Sequence, residues 1–260
     1  MVTQLNPDAI NACENAATLY PRHPIILYGS HARGDFTSHS DVDVLIAGTS
    51  TFENWNDGKV SYSLYPTMLL SQLSETGSLF ALHLKRDGVI FRDQDRRFEQ
   101  VVESYNSPDS YVDLRCEMKT LLNVLDVNEI GYQETPEWLI RVALFLMRTA
   151  VFIESAESGK PSFSIPEISL KNHDPALLRN YQLKYKRMVT FGEFCDVRSY
   201  VEKKLGTAAL NPYKSVLQLI GNEASKSDLL RGFARKLLQF KDFLSSSGFV
   251  VDYAVEYQRW

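Results

Sequence analysis

Residues 26–46 read ILYGSHARGDFTSHSDVDVLI. An apolar run at each end encloses a polar loop that finishes in two aspartates one residue apart. Short runs rich in Val, Ile and Leu, bounded by Gly, Ser and Asp, are the pattern of buried strands, so PIILYG and DVDVLIAG are predicted strands. In a strand, Asp41 and Asp43 project to one face while Val42 and Val44 project to the other. Two carboxylates this close repel each other, and the usual remedies are a shared proton or a hard divalent cation bound through oxygen. Mg²⁺ commonly takes one or two protein carboxylates and completes its shell with water and substrate phosphate oxygens. Gly29 and Ser30 follow PIILY directly. The glycine lets the chain turn and a phosphate approach the backbone, and a helix starting at Ser30 would aim its free N–H groups at that anion.

A rival phosphate motif fails on one position. GSHARGD satisfies the first half of G-x-x-x-x-G-K-[ST], but Asp35 stands where lysine is required and Phe36 follows it. Gly34 is therefore assigned to the turn leading into DFTSHS. Taken alone, D-x-D on a strand is most often a solvated edge. Joined to a Gly-Ser turn and flanked by strands, it becomes a candidate metal and phosphate site.

Outward from the motif, the first 20 residues read as a helix beginning near Asn6 to Asp8, with Ile10, Ala12, Ala16, Leu19 and Tyr20 on one side, stopped by Pro21 and Pro24. KVSYSLYP reads as a third strand, residues 66–87 as helix, and VIF after Gly88 as a short strand. Beyond about residue 95 helical periods dominate, in SYVDLRCEMKTLLNVLDV, TPEWLIRVALFLMRTAVFIESAE, DPALLRNYQLKYKRMV, FCDVRSYVEKKL and SKSDLLRGFARKLLQFKDFLSS. The expected architecture is an α/β (α+β) domain over residues 1–106 followed by an all-α domain over 107–260, with the boundary in YNSPDS.

Gly29-Ser30, ten intervening residues and Asp41-Val42-Asp43 between apolar strands resemble the signature of the DNA polymerase β-like nucleotidyltransferases, in particular the minimal and antibiotic nucleotidyltransferases. GSHARGDFTSHSDVDVLI is similar to the GSxARG…SDxDLLV form over nearly its whole length, with weaker similarity out to about residue 93. The resemblance implies Asp41 and Asp43 as ligands of Mg²⁺, Gly29 and Ser30 as the contact to a nucleoside triphosphate, Arg33 as a charge partner for phosphate and Ser40 beside the metal pair. It implies transfer of a nucleoside monophosphate, by default AMP from ATP, to an acceptor hydroxyl with release of pyrophosphate. One departure stands out. The family pattern supplies a third carboxylate from the next strand, whereas VSYSLYP offers Ser61 and Ser63. Losing a positioned base typically costs about 10²–10⁴-fold. Glu117 and Glu137 in the helical half are candidate bases by location alone. The alternative function is a catalytically weak or inactive nucleotide-binding or protein-interaction module of the same fold.

Composition limits the partners. Lys and Arg number 28 against 32 Asp and Glu, so no overall positive field draws the chain to nucleic acid or an anionic membrane. The acceptor stays open between a small molecule, a protein and RNA; no membrane is expected, and a homodimer is allowed. Cys13, Cys116 and Cys195 lie far apart without ligand spacing and are expected as reduced thiols. The acidic N-terminus carries no signal-peptide pattern and no window is long and apolar enough to span a bilayer, so cytoplasmic residence is expected. His31 and His39 are expected to face solvent or to bond other site residues, and His83 to be structural. Arg148, inside an apolar helix, needs a partner, either phosphate or an acid such as Glu154. Arg179, Lys184, Lys186 and Arg187 are expected to form a solvated helix face.

Overall fold

The computed structural model describes residues 5–207, 210–223 and 231. The chain divides into two compact units, Met1–Asp109 and a second beginning at Ser110.

The first unit is built on a five-stranded mixed sheet of order β3-β4-β2-β1-β5. β1 is Ile25–Tyr28, β2 Val42–Ala47, β3 Glu53–Asp57, β4 Val60–Tyr65 and β5 Val89–Arg92. β2 runs parallel to β4 and antiparallel to β1, and the hairpin β3–β4 turns at Gly58, whose φ is 58°. Register fixes the two faces. Tyr28, Asp43 and Ser61 lie opposite one another across β1, β2 and β4, and Ile26, Leu45 and Ser63 form the next row on the same face.

The opposite face is apolar and holds helix α1 (Pro7–Leu19). Ala9, Ala12, Cys13 and Ala16 pack there against Ile25, Leu27, Val42, Val44, Ile46, Tyr62 and Leu64. Small residues on the helix let it lie close to the strands, and each fully buried Ile, Leu or Val contributes roughly 1.5–3 kcal/mol. The helix begins as the sequence predicts, with Asn6 accepting from the Asp8 N–H and Pro7 in the first turn. Its inward side differs from the predicted one, because Leu19 is exposed and Ala9 and Cys13 are buried. Arg92 on β5 donates to the carbonyl oxygens of Ala17, Tyr20 and His23, tying the end of α1 to the sheet edge.

Helices α2 (Gly29–Arg33), α3 (Thr67–Glu75), α4 (Leu79–Asp87) and α5 (Arg97–Glu103) complete this unit. The continuous helix expected over 66–87 is two helices, broken where Gly77 adopts φ 69° and Ser78 caps α4 through the Ala81 N–H. Phe80 of α4 packs on Tyr28 and Tyr65, with ring centroids 5.8 and 5.1 Å apart. α4 thereby covers part of the face that bears Asp43.

The second unit is helical, with α6 (Val112–Leu122), α7 (Glu129–Glu134), α8 (Pro136–Glu157), α9 (Ile165–Lys171), α10 (Pro175–Gln182), α11 (Phe191–Leu205) and α12 (Val216–Glu223). α8 is its centre: α6, α7, α9 and α11 all pack against it, and Trp138 through Leu146 are buried except Arg141. Side-chain caps start α7, α9, α10 and α11, the last with a reciprocal Thr190–Glu193 box. Asp126, between α6 and α7, is buried and accepts from the Asn211 N–H, Arg198 and Lys214. The helix predicted over residues 225–246 lies, except for residue 231, outside the described residues. Among the described residues no helix is long and apolar enough to cross a membrane.

Candidate active site

The chain leaves β1 at Tyr28 in an extended conformation and enters α2 through Gly29, whose φ is +75°. Two constraints meet at this residue. An L side chain rarely adopts that backbone, and a Cβ there would fall inside van der Waals contact of Asp43 Oδ2. The glycine thus makes room for the carboxylate, joining the two ends of the motif in space. After one turn, the N–H groups of Gly34 and Asp35 both return to the Ser30 carbonyl, at 2.9 and 3.1 Å, and Gly34 ends the helix at φ 81°. Ser30 itself is half-buried.

Asp43 is half-buried on β2, opposite Tyr28 and Ser61. Asp41 is exposed and precedes the first residue of the strand, a correction to the expectation that both aspartates lie within it. The approach to Asp41 is shaped by Ser40, whose Oγ accepts from the Thr37 N–H at 2.9 Å while its own N–H donates to the Thr37 carbonyl. Lys59 donates to the Ser38 carbonyl at 2.8 Å and holds the same loop to the β3–β4 hairpin.

Arg33 is engaged inside the unit. Its guanidinium meets Asp35 at 3.2 Å and Asp87 at 3.6 Å, and donates to His83 Nε2 at 3.1 Å. His83 accepts at that nitrogen, so its neutral ring carries hydrogen on Nδ1 in this arrangement. Asp87 is almost wholly buried. Burial pushes its carboxyl upward, and Arg33 and Arg86 pull it down without prevailing. His83, Asp35 and Asp87 were not singled out as site residues, and no spacing in the sequence joins Arg33 to residues 83 and 87.

His31 departs from the solvent-facing option. It is 6% exposed, stacks on Phe36 at 4.4 Å and 11°, and neither ring nitrogen has a hydrogen-bond partner among the described residues. His39 is exposed. Ser63 is buried, and its hydroxyl lies 3.4 Å from that of Tyr28. In the second unit Glu154 is taken by Lys204 at 2.8 Å. Arg179, Lys184, Lys186 and Arg187 are exposed, with Lys186 held by Glu193. Cys13 is buried, Cys116 exposed and Cys195 between them, all three as free thiols.

The donor set suits a hard divalent cation. Carboxylate oxygens are the ligands Mg²⁺ prefers, and the bare Cα of Gly29 leaves Asp43 its space. Among the described residues no group of three or more His, Cys, Asp or Glu side chains is gathered to hold a metal.

Residues 13–104, most of the first unit, match the family model of the nucleotidyltransferase domain, a family of the polymerase β-like superfamily. A curated relative from Methanocaldococcus jannaschii that bears the name protein adenylyltransferase is 39% identical over 56 residues. Those residues are 22% of this chain and 56% of the relative, so the chain spans about half the length of that protein. The crystal structure of a nucleotidyltransferase-like protein from Exiguobacterium sibiricum is similar at 16% identity and TM-score 0.31, covering 76% of this chain and 73% of that one.

Proposed function

We propose that the chain is a Mg²⁺-dependent nucleotidyltransferase that moves a nucleoside monophosphate, AMP from ATP by default, to an acceptor hydroxyl. The observation that carries this reading is the fit of Asp43 against Gly29, which sets one carboxylate of the pair directly against the Gly29 turn. Asp41 and Asp43 hold the cation, which when bound neutralises triphosphate charge and polarises the α-phosphate. Gly29 and Ser30 receive the phosphates at the open end of the turn. Ser40 sets the loop that delivers Asp41. Arg33 is the charge partner for phosphate, shared with Asp35 and Asp87. The acceptor oxygen forms a bond to the α-phosphorus as the α–β bridging bond breaks, pyrophosphate departs with the electron pair, and the hydroxyl proton passes to solvent.

The name of the Methanocaldococcus relative supports a protein hydroxyl as acceptor ahead of a small molecule or RNA. Ser61 and Ser63, in place of a carboxylate on β4, favour a second reading, a module that binds nucleotide without turnover. Incubation with α-labelled ATP and Mg²⁺ against protein, aminoglycoside and RNA acceptors separates the two. Labelling of an acceptor with pyrophosphate release, lost in Asp43→Asn, is the expected result. Binding of ATP without labelling of any acceptor favours the module. Equal ATP affinity in Mg²⁺ and in EDTA by calorimetry removes Asp41 and Asp43 as ligands, and Ser30→Trp is expected to weaken ATP binding in a folded protein.

A further inference from the structure

Among the described residues the most exposed large apolar side chains are Ile130, Leu170, Met188 and Leu210, each 79% open to solvent. Three of them gather at the short helix α7. Ile130 is on that helix, and Met188 precedes Val189, whose carbonyl oxygen accepts from Tyr132 of α7 at 2.7 Å. Leu210 leads into residues 211–215, a turn that packs on α7 so closely that a Cβ at Gly131 would strike the Lys214 carbonyl oxygen. Ser215 at its end donates to Glu134 at 2.7 Å. Single exposed apolar residues are ordinary on any protein surface, whereas a gathered group marks a docking face.

The charges beside this group fall in a matched order. Glu129 adjoins Ile130 and Arg187 adjoins Met188, both are exposed, and neither is in an ion pair among the described residues. Their neighbours are already engaged: Lys186 by Glu193, Lys214 by Asp126 and Glu134 by Ser215. An acid with an apolar neighbour beside a base with an apolar neighbour is self-complementary under a two-fold axis, which lays Glu129-Ile130 of each copy on Arg187-Met188 of the other. Nucleic acid or an anionic membrane would meet Glu129 as a like charge, and a cationic partner would meet Arg187. We propose that this face joins two copies of the chain in a two-fold dimer, with Ile130, Met188 and Leu210 at its centre and each Glu129 paired with the partner's Arg187. All of these residues belong to the helical unit, and the proposal stands apart from the nucleotidyl-transfer reading.

The test is sedimentation velocity on the full chain over a concentration series reaching about 100 μM, which detects micromolar association. Wild type is expected to form a dimer and no larger species. Ile130→Asp is expected to weaken the dimer by about tenfold or more, because a charge enters the apolar centre. Glu129→Arg and Arg187→Glu are each expected to weaken it by about tenfold as well, since the two-fold repeats each like-charge contact. The double variant Glu129→Arg/Arg187→Glu is expected to restore the wild-type dissociation constant, because the pair is only exchanged. Wild type that stays monomeric or grows beyond a dimer overturns the proposal, and so does a dimer indifferent to Ile130→Asp or to the single reversals. Single reversals that weaken the dimer without rescue in the double variant overturn the two-fold pairing. Circular dichroism checks the fold of each variant, and if Ile130→Asp does not fold, the reversals and their rescue decide.

Discussion

Each unit of the molecule buries one aspartate among cations, and the two behave oppositely. Asp87 in the first unit and Asp126 in the second have side chains 8% and 7% exposed. Burial raises both, because a carboxylate loses hydration in either place. At Asp126 the rise is overcome: Lys214, the Asn211 N–H at 2.8 Å and Arg198 at 2.9 Å hold the carboxyl below its usual range. At Asp87 the rise prevails, since Arg33 and His83 stand off at 3.6 Å and Arg86 at 3.3 Å. Attraction at 3.6 Å is beyond the range of a good hydrogen bond. The number of close, directed donors, rather than the number of nearby cations, decides the sign. The well-bonded aspartate pins a segment of the helical unit, while the loosely met one stands beside Arg33, which Asp35 and His83 also engage.

The sharpest way to test this contrast is Asp126→Ala. It strands the Asn211 N–H and sets Arg198 beside Lys214 with no anion between them. A loss of about 3 kcal/mol is expected, at the low end for breaking a buried pair because both cations keep some water. Urea unfolding followed by fluorescence reads it, since Trp138 is buried in α8. Asp87→Asn is the counterpart, expected to cost about 1 kcal/mol or less, because the amide avoids the burial penalty and Arg33 retains Asp35. A loss as large as that at Asp126 would erase the distinction.

The pH profile should separate the same two residues by sign. An aspartate held low in the folded state contributes stability above the unfolded value near ~3.9. That contribution is lost as pH falls through the depressed folded value. Asp126 should therefore steepen acid unfolding below about pH 4, and Asp126→Asn should flatten that arm. An aspartate held high behaves in reverse: its contribution is full below the unfolded value and disappears as pH rises through the raised folded value. Acidification from neutrality should then gain a small increment of stability from Asp87, absent in Asp87→Asn. Melting temperatures between pH 3 and 7, compared across the two variants, report both arms. The smallest effect is expected for Arg86→Ala, within about 0.5 kcal/mol, since this partner of Asp87 is 39% exposed and water screens it.

How far the sequence reaches follows the range of the interaction. α1 was legible because Asn6 and Pro7 are local signals, β1 and β2 because apolar runs advertise burial, and β4 because Val60, Tyr62 and Leu64 alternate with serines. β3 escaped notice because ENWND is polar, as suits an edge strand, although Asp57-Gly58 marked its turn. The break within 66–87 was signalled by Gly77-Ser78 and read through. At the site, the motif residues were visible as a string. The steric bond between Gly29 and Asp43 belongs to strand register, and the partners of Arg33 belong to the packing of α2 on α4. His31 looked like a loop residue because its burial depends on a stack with Phe36 five positions away.

The order of the sheet also governs when this domain can close during synthesis. β1 at residues 25–28 has β5 at residues 89–92 as its outer neighbour, and Arg92 is the group that donates to the carbonyls at the end of α1. Until residue 92 has left the ribosome, one edge of β1 is bare and α1 has no clamp. Non-local pairings of this kind bear their loop-closure cost before any contact rewards it. The strands that carry Asp43 and Ser63 are complete well before that point. The face that bears Asp43 is thus laid down early, while the outer edge of β1 waits for the last strand. A chaperone that shields nascent chains would meet this protein in the interval between the synthesis of β4 and that of β5.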